Sequence, residues 1–182
     1  MTLSHSLPCC LLVVAGSLGF VVAGQAEDAA VKPCKVAAVT GESAGKDVDY
    51  SAERKEKPTV YLFVSAENFT RPVGRYIKVL DTQIDKGIEG ARDAEVVAIW
   101  LTGDVAKSKE YLPKLQQSVQ LSKTTLAVFD GQPQGPDGWN VDIASHLTAV
   151  VVKGGKETAR FKYQSTNDTD VPDQYLDSLR GA

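Results

Sequence analysis

Thr59-Val60-Tyr61-Leu62-Phe63-Val64 is an unbroken apolar run, entered through Lys57-Pro58 and left through Ser65-Ala66-Glu67-Asn68. It is rich in β-branched and aromatic residues and shows no alternation of polar and apolar positions. A strand with one wet face would alternate, so this pattern predicts a strand covered on both faces. The same reading applies to Glu95-Val96-Val97-Ala98-Ile99-Trp100-Leu101 and to the shorter stretch 124–129. Such strands need a layer above the sheet and another below it.

The segments between these strands supply the layers. After the first strand, Thr70 is a candidate N-cap and Pro72 falls in the first turn, where a missing N–H costs little. Val73, Ile77, Leu80, Ile84 and Ile88 then recur at helical spacing, with Gly90 near the expected end. A second helix is expected over 105–119, with Tyr111, Leu112, Leu115 and Val119 on one side and Pro113 inside it. Residues 131–138 read as a Gly- and Pro-rich loop that matches no phosphate-binding spacing. A short helical turn is expected over 139–144. Two strands, 147–152 and 157–163, flank Gly154-Gly155 as a hairpin. A last helix over 171–179 carries Val171, Tyr175, Leu176 and Leu179 on one face. Upstream, short strands are expected at 36–39 and 48–50, while Glu53-Arg54-Lys55-Glu56-Lys57 alternates in sign and reads as a solvated loop. Alternating strands and helices require parallel pairing with right-handed crossovers, and the hairpin adds an antiparallel edge. The expected class is therefore α/β: a mixed sheet with parallel core strands, a C-terminal antiparallel hairpin and helices on both faces.

Within this order, Lys57-Pro58-Thr59-Val60-Tyr61-Leu62-Phe63-Val64-Ser65-Ala66 resembles the strand that leads into the active site of thioredoxin-like thiol-disulfide oxidoreductases and peroxiredoxins. The segment Leu147-Thr148-Ala149-Val150-Val151-Val152-Lys153-Gly154-Gly155-Lys156 resembles their hairpin. The resemblance covers roughly residues 45 to 180 and implies a thioredoxin-like domain over 58–182. It also implies where chemistry should sit. In these oxidoreductases a Cys-x-x-Cys pair opens the helix after the first core strand, where the helix N-terminus stabilises a thiolate. Here that place reads Ala66-Glu67-Asn68-Phe69-Thr70-Arg71-Pro72. The Thr-x-x-Cys pattern of peroxiredoxins, counted from Thr70, ends on Val73. The family's cis-proline position matches Leu147, whose peptide bond is expected to be trans because a non-proline cis bond costs about 2.5–4 kcal/mol.

Cysteine usage bears on the same point. Residues 1–26 contain no Asp, Glu, Lys or Arg, are apolar over 7–22 and end on Gly24-Gln25-Ala26, which is the layout of a secretory signal peptide. Its removal takes Cys9 and Cys10 away and leaves Cys34 alone, in a polar segment over 27–57 that precedes the domain. A lone thiol in an exported chain is a free tail thiol, a bridge between two copies, or a single nucleophile. A leader that is retained would act as a membrane anchor. The expected location is the periplasm or the extracellular space.

Other candidates are few. Glu67, Asn68 and Arg71 cluster at the helix start, where backbone N–H groups favour anions, as a polar recognition site. His146 falls beside them by the resemblance, but as a lone histidine after residue 26 it cannot build a multi-histidine metal site. No cofactor is expected. Twenty basic against 23 acidic residues, net charge −3, give no footprint for nucleic acid. The sequence therefore points to an exported thioredoxin-like domain lacking its redox cysteines, acting as a binding or accessory module toward a protein or peptide. The alternative is a divergent thiol-disulfide oxidoreductase or antioxidant protein using Cys34, which requires the amino-terminal segment to fold back onto the helix start.

Overall fold

A computed structural model describes residues 30–132, 134–164, 166 and 173–180. The leader expected at 1–26 with Cys9 and Cys10, and Val171 of the expected last helix, lie outside the described residues.

The element order is β1 (Lys35–Ala38), β2 (Asp47–Asp49), α1 (Tyr50–Arg54), β3 (Thr59–Ser65), α2 (Arg71–Asp85), β4 (Glu95–Leu101), α3 (Val105–Val119), β5 (Thr124–Phe129), β6 (Leu147–Lys153), β7 (Lys156–Tyr163) and α4 (Asp173–Arg180). The strands form one seven-stranded sheet in the order β2-β1-β5-β4-β3-β6-β7. β3 pairs in parallel with β4 (Val64 opposite Trp100) and antiparallel with β6 (Val64 opposite Leu147). The mixed sheet expected from the element order is thus present, and β1 and β2 extend it at the β5 edge.

Alternation inside the apolar runs divides two cores. Val60, Leu62, Val64, Val96, Ala98 and Trp100 face one side, where α2, α3 and α4 pack through Val73, Ile77, Leu80, Leu112, Tyr175 and Leu179. Tyr61, Phe63, Val97, Ile99 and Leu101 face the other. Helices lie on both faces, but unequally. The second face is closed by short α1, through Tyr50, and by irregular chain carrying Cys34 and Trp139.

Four local expectations are corrected. The stripe on α2 was expected to run through Ile88, but the helix stops at Asp85 because Gly87 turns left-handed (φ +86°) and its N–H donates to the Ile84 carbonyl. Ile88 still reaches the core from beyond the helix end. Thr70 occupies the N-cap position without a side-chain capping bond. Residues 139–144 form no helix; Trp139 instead packs on Tyr61 and Phe63 (ring centroids 4.7 and 5.2 Å apart), with its indole N–H donating to the Pro33 carbonyl. The charged run 53–57 is not wholly solvated. Arg54 is buried, donates to Thr59 Oγ1 (3.0 Å) and the Asp93 carbonyl (2.6 Å), and pairs with Glu95 at 2.9 Å.

Asp81 fixes α2 to the sheet. Its fully buried carboxylate accepts from the backbone N–H groups of Ser122 (3.1 Å) and Lys123 (2.8 Å) and from Thr124 Oγ1 (2.8 Å), at the start of β5. Lys78 stands 3.7 Å away as its counter-ion. Removing this acceptor strands two amides. We expect Asp81→Ala to lower unfolding free energy by about 3 kcal/mol, measured by urea denaturation. A loss below about 1 kcal/mol, the net worth of one ordinary hydrogen bond, would show that the clasp is not structural.

Candidate functional site

The turn between β3 and α2 is fixed at both ends. The Ala66 N–H donates to the Leu101 carbonyl (3.0 Å), carrying the β3–β4 pairing one step further, and the Asn68 N–H donates back to the Ser65 carbonyl (3.2 Å). Phe69 follows, half-buried, with its ring 4.9 Å from that of Trp100 and 6.3 Å from that of Tyr111. The ring lies against the first turn of α2, close enough that a methyl on Gly74 would be in van der Waals contact with Phe69 Cζ at 3.4 Å. The helix start that the resemblance assigns to a thiolate thus carries an aromatic ring beside it. Val73, the Thr-x-x-Cys match, is fully buried among core side chains.

Glu67 is exposed and stands between two depressions. The larger, about 510 Å³, is walled by Phe69, Trp100 and Tyr111, with Asp104, Lys107 and Ser108 on α3's side. The smaller, about 170 Å³, lies between Asn68, Ser65, Leu101 and the Val141–Ser145 loop. The structure therefore brings Glu67 and Asn68 together on one rim. Arg71 instead lines the groove between α2 and α3. His146 is half-buried at the entry to β6, its N–H bound to the Tyr163 carbonyl at 2.9 Å, and it lines neither depression. No described peptide bond is cis, so the bond before Leu147 is trans. Among the described residues no group of His, Cys, Asp and Glu is placed to hold a metal ion, and no helix is long and apolar enough to cross a membrane.

The aromatic wall was not foreseen as a site. Trp100 and Tyr111 read as core positions, yet Tyr111 is 41% exposed, and Phe69 stood unassigned between polar neighbours. The one available signal was a large ring where a solvated turn needs none.

Cys34 was expected as a tail thiol, and the structure places it elsewhere. It is completely buried in the second core, immediately before β1. Its N–H donates to Asp49 Oδ1 (2.9 Å) and its carbonyl accepts from the Tyr50 N–H (3.0 Å). Burial pushes the thiol well above its ordinary range, and the Asp49 carboxylate adds to the rise. Burial also raises Tyr50, to about 12. Asp49 moves the other way. Its partial burial works against ionisation, but donation from the Ser51 hydroxyl and from the amides of Cys34, Ala52 and Ser51 outweighs that and lowers it. The sulfur lies on the sheet face opposite α2, so the fold-back that a Cys34 nucleophile would need is not the arrangement observed.

With this geometry in place, solved structures give the comparison. The chain is similar to peroxidoxin BcpB from Mycobacterium tuberculosis (TM-score 0.59, 16% identity, covering 86% of this chain and 97% of that one). It is similar to a peroxiredoxin-like protein from Aquifex aeolicus (TM-score 0.58, 15% identity, 89% and 91% covered). A third is a secreted Mycobacterium tuberculosis disulfide oxidoreductase homologous to E. coli DsbE (TM-score 0.52, 13% identity, 80% and 92% covered). No protein-family model matches the sequence, and the search of curated proteins returned no match. The chain has a thioredoxin-like fold.

A thiol held protonated and enclosed should not react from the native state. We expect iodoacetamide at pH 8 to leave Cys34 unlabelled in the folded protein and to label it readily in guanidinium chloride, read by intact mass. Native labelling at the rate of a free cysteine would contradict the buried position.

Proposed function

We propose that this chain is an exported thioredoxin-like protein that performs no thiol chemistry and serves as a binding or accessory module for a protein or peptide. One observation carries the reading. The helix start where the fold can activate a sulfur nucleophile holds Thr70, Arg71, Pro72 and Val73, while the single cysteine among the described residues is sealed into the opposite core. A helix N-terminus lowers a thiol's pKa only when the sulfur is within its first turn. Cys34 meets the reverse environment, apolar burial beside a carboxylate.

Export to the periplasm or the extracellular space is supported by the charge-free leader over 1–26 and by a secreted protein among the similar structures. Shared fold does not bring shared chemistry, because activity resides in the side chains placed on the fold. The rim formed by Glu67 and Asn68, flanked by the Phe69–Trp100–Tyr111 wall, would serve as a polar recognition surface on this face. A bridge between two copies through Cys34 would first require the start of β1 to leave the core.

The purified protein should neither reduce insulin disulfides with dithiothreitol as electron source nor consume hydrogen peroxide with a thiol reductant. Turnover comparable to a thioredoxin or a peroxiredoxin, lost in Cys34→Ala, would replace this reading with the enzymatic one.

A further inference from the structure

The groove between α2 and α3 differs in kind from the two depressions beside Glu67. It encloses about 810 Å³ and is open to solvent along its length. One wall is apolar: Tyr111, Leu115 and Val119 recur at intervals of four along α3, with Phe69 closing one end. The other wall is cationic: Arg71, Arg75 and Lys78 follow one another along α2 at intervals of four and three, a single stripe of that helix. No acidic side chain lines either wall. Lys78 is engaged at the far end, donating to the Gln120 carbonyl (2.6 Å) and facing Asp81. Arg71 and Arg75 are exposed and have no ion-pair or hydrogen-bond partner among the described residues. Tyr111 is the exposed member of the apolar strip, at 41%, while Leu115 is largely buried and Val119 packs part-buried against the core, so the two unpaired guanidiniums stand one turn apart across the groove from an exposed ring on an apolar floor.

We propose that this groove binds an acidic amphipathic helix of a partner protein. Its apolar face would lie on Tyr111, Leu115 and Val119, and carboxylates spaced one turn apart would meet Arg71 and Arg75. The walls from Arg71 to Val79 and from Tyr111 to Val119 each run about 12 Å, a little over two helical turns. An open trough between two helices accepts a third by ordinary side-chain interdigitation at 8–10 Å axial separation, roughly the recurring helix-in-groove mode. A free fatty acid would match the chemistry less well, since small-molecule sites typically enclose about 70–90% of the ligand surface and this trough leaves one side open. The inference is independent of whether the β3–α2 turn does chemistry.

The test uses a fluorescein-labelled synthetic helix of about eighteen residues, long enough to become helical when bound, with Glu at one-turn spacing beside a Leu/Phe face. Binding is followed by fluorescence anisotropy. The intact protein should bind it. Arg71→Glu with Arg75→Glu should weaken binding about tenfold or more, and the same variant should prefer a probe with Lys in place of Glu. Tyr111→Asp should weaken both. Lys109→Glu with Lys114→Glu makes the same charge change on exposed α3 positions outside the groove and should leave binding within about twofold. Circular dichroism checks that each variant is folded. No binding to the intact protein, equal losses from the two charge-reversal pairs, or displacement of the peptide by dodecanoate at submicellar concentration would each overturn the proposal.

Discussion

β3 has neither a free edge nor a free face. It pairs in register with β4 on one side and β6 on the other, and six of its seven residues are buried. A strand held in this way cannot slip by one residue, because that would exchange Val60, Leu62 and Val64 with Tyr61 and Phe63 between two cores of different shape. The fixed register decides where the chain leaves the sheet. Ser65 is opposite Leu101, Ala66 still bonds to it, and the turn to α2 begins there. The position of the Glu67–Asn68 rim and of Phe69 thus follows from the packing of a strand that carries no functional group itself. Asp81 supplies the matching constraint on the helix: it ties the C-terminal half of α2 to the start of β5, so the far end of α2 is held to the sheet as its start is held by β3.

Much of this was legible in the sequence, for a definite reason. Continuous apolar runs report burial on both faces, and spacings of three and four report one buried face of a helix; both are local patterns. β3, β4, β5, the Gly154-Gly155 hairpin and the Val73–Ile84 stripe were readable on those grounds. What escaped depends on partners distant in sequence. Arg54 stands in a run of alternating charge, and nothing within five residues reveals that the carbonyl of Asp93 and the carboxylate of Glu95 will enclose it. Cys34 looks like a tail residue until Asp49 and Tyr50 take up its backbone groups and Trp139 closes over the same core. Trp139 itself sits in a loop, and its hydrogen bond to Pro33 spans 106 positions. Even the end of α2 turned on one glycine two positions past the last helical residue, where the apolar spacing alone pointed further on.

The site was legible in a narrower sense. Matching the turn to the thioredoxin-like pattern it resembles located the helix start and showed the absence of sulfur, since both are read from consecutive residues. The resemblance grouped Glu67, Asn68, Arg71 and His146 because they flank the same turn in sequence or by analogy. Side-chain direction separates them: Glu67 and Asn68 share a rim, Arg71 faces α3, and His146 belongs to the β6 entry. Glu67 and Asn68 precede the helix and stay together in the turn, whereas Arg71 opens α2 and is carried round to its α3 side.

The asymmetry between the two faces explains why these surfaces are available at all. Three helices cover the first face, and short α1 together with irregular chain held by Trp139, Pro33 and Arg160 covers the second. Irregular cover adapts its shape to the strands beneath. Helices are straight and stand apart by the bulk of their side chains, so a groove persists wherever two of them meet without a third. Between α2 and α3 the residues that would fill such a groove in a closed core are charged on one side and apolar on the other, and Phe69 blocks the end nearest the β3–α2 turn. An aromatic ring there separates the two regions. The start of the helix is packed against that ring, and the flank of the same helix carries the exposed Arg71 and Arg75.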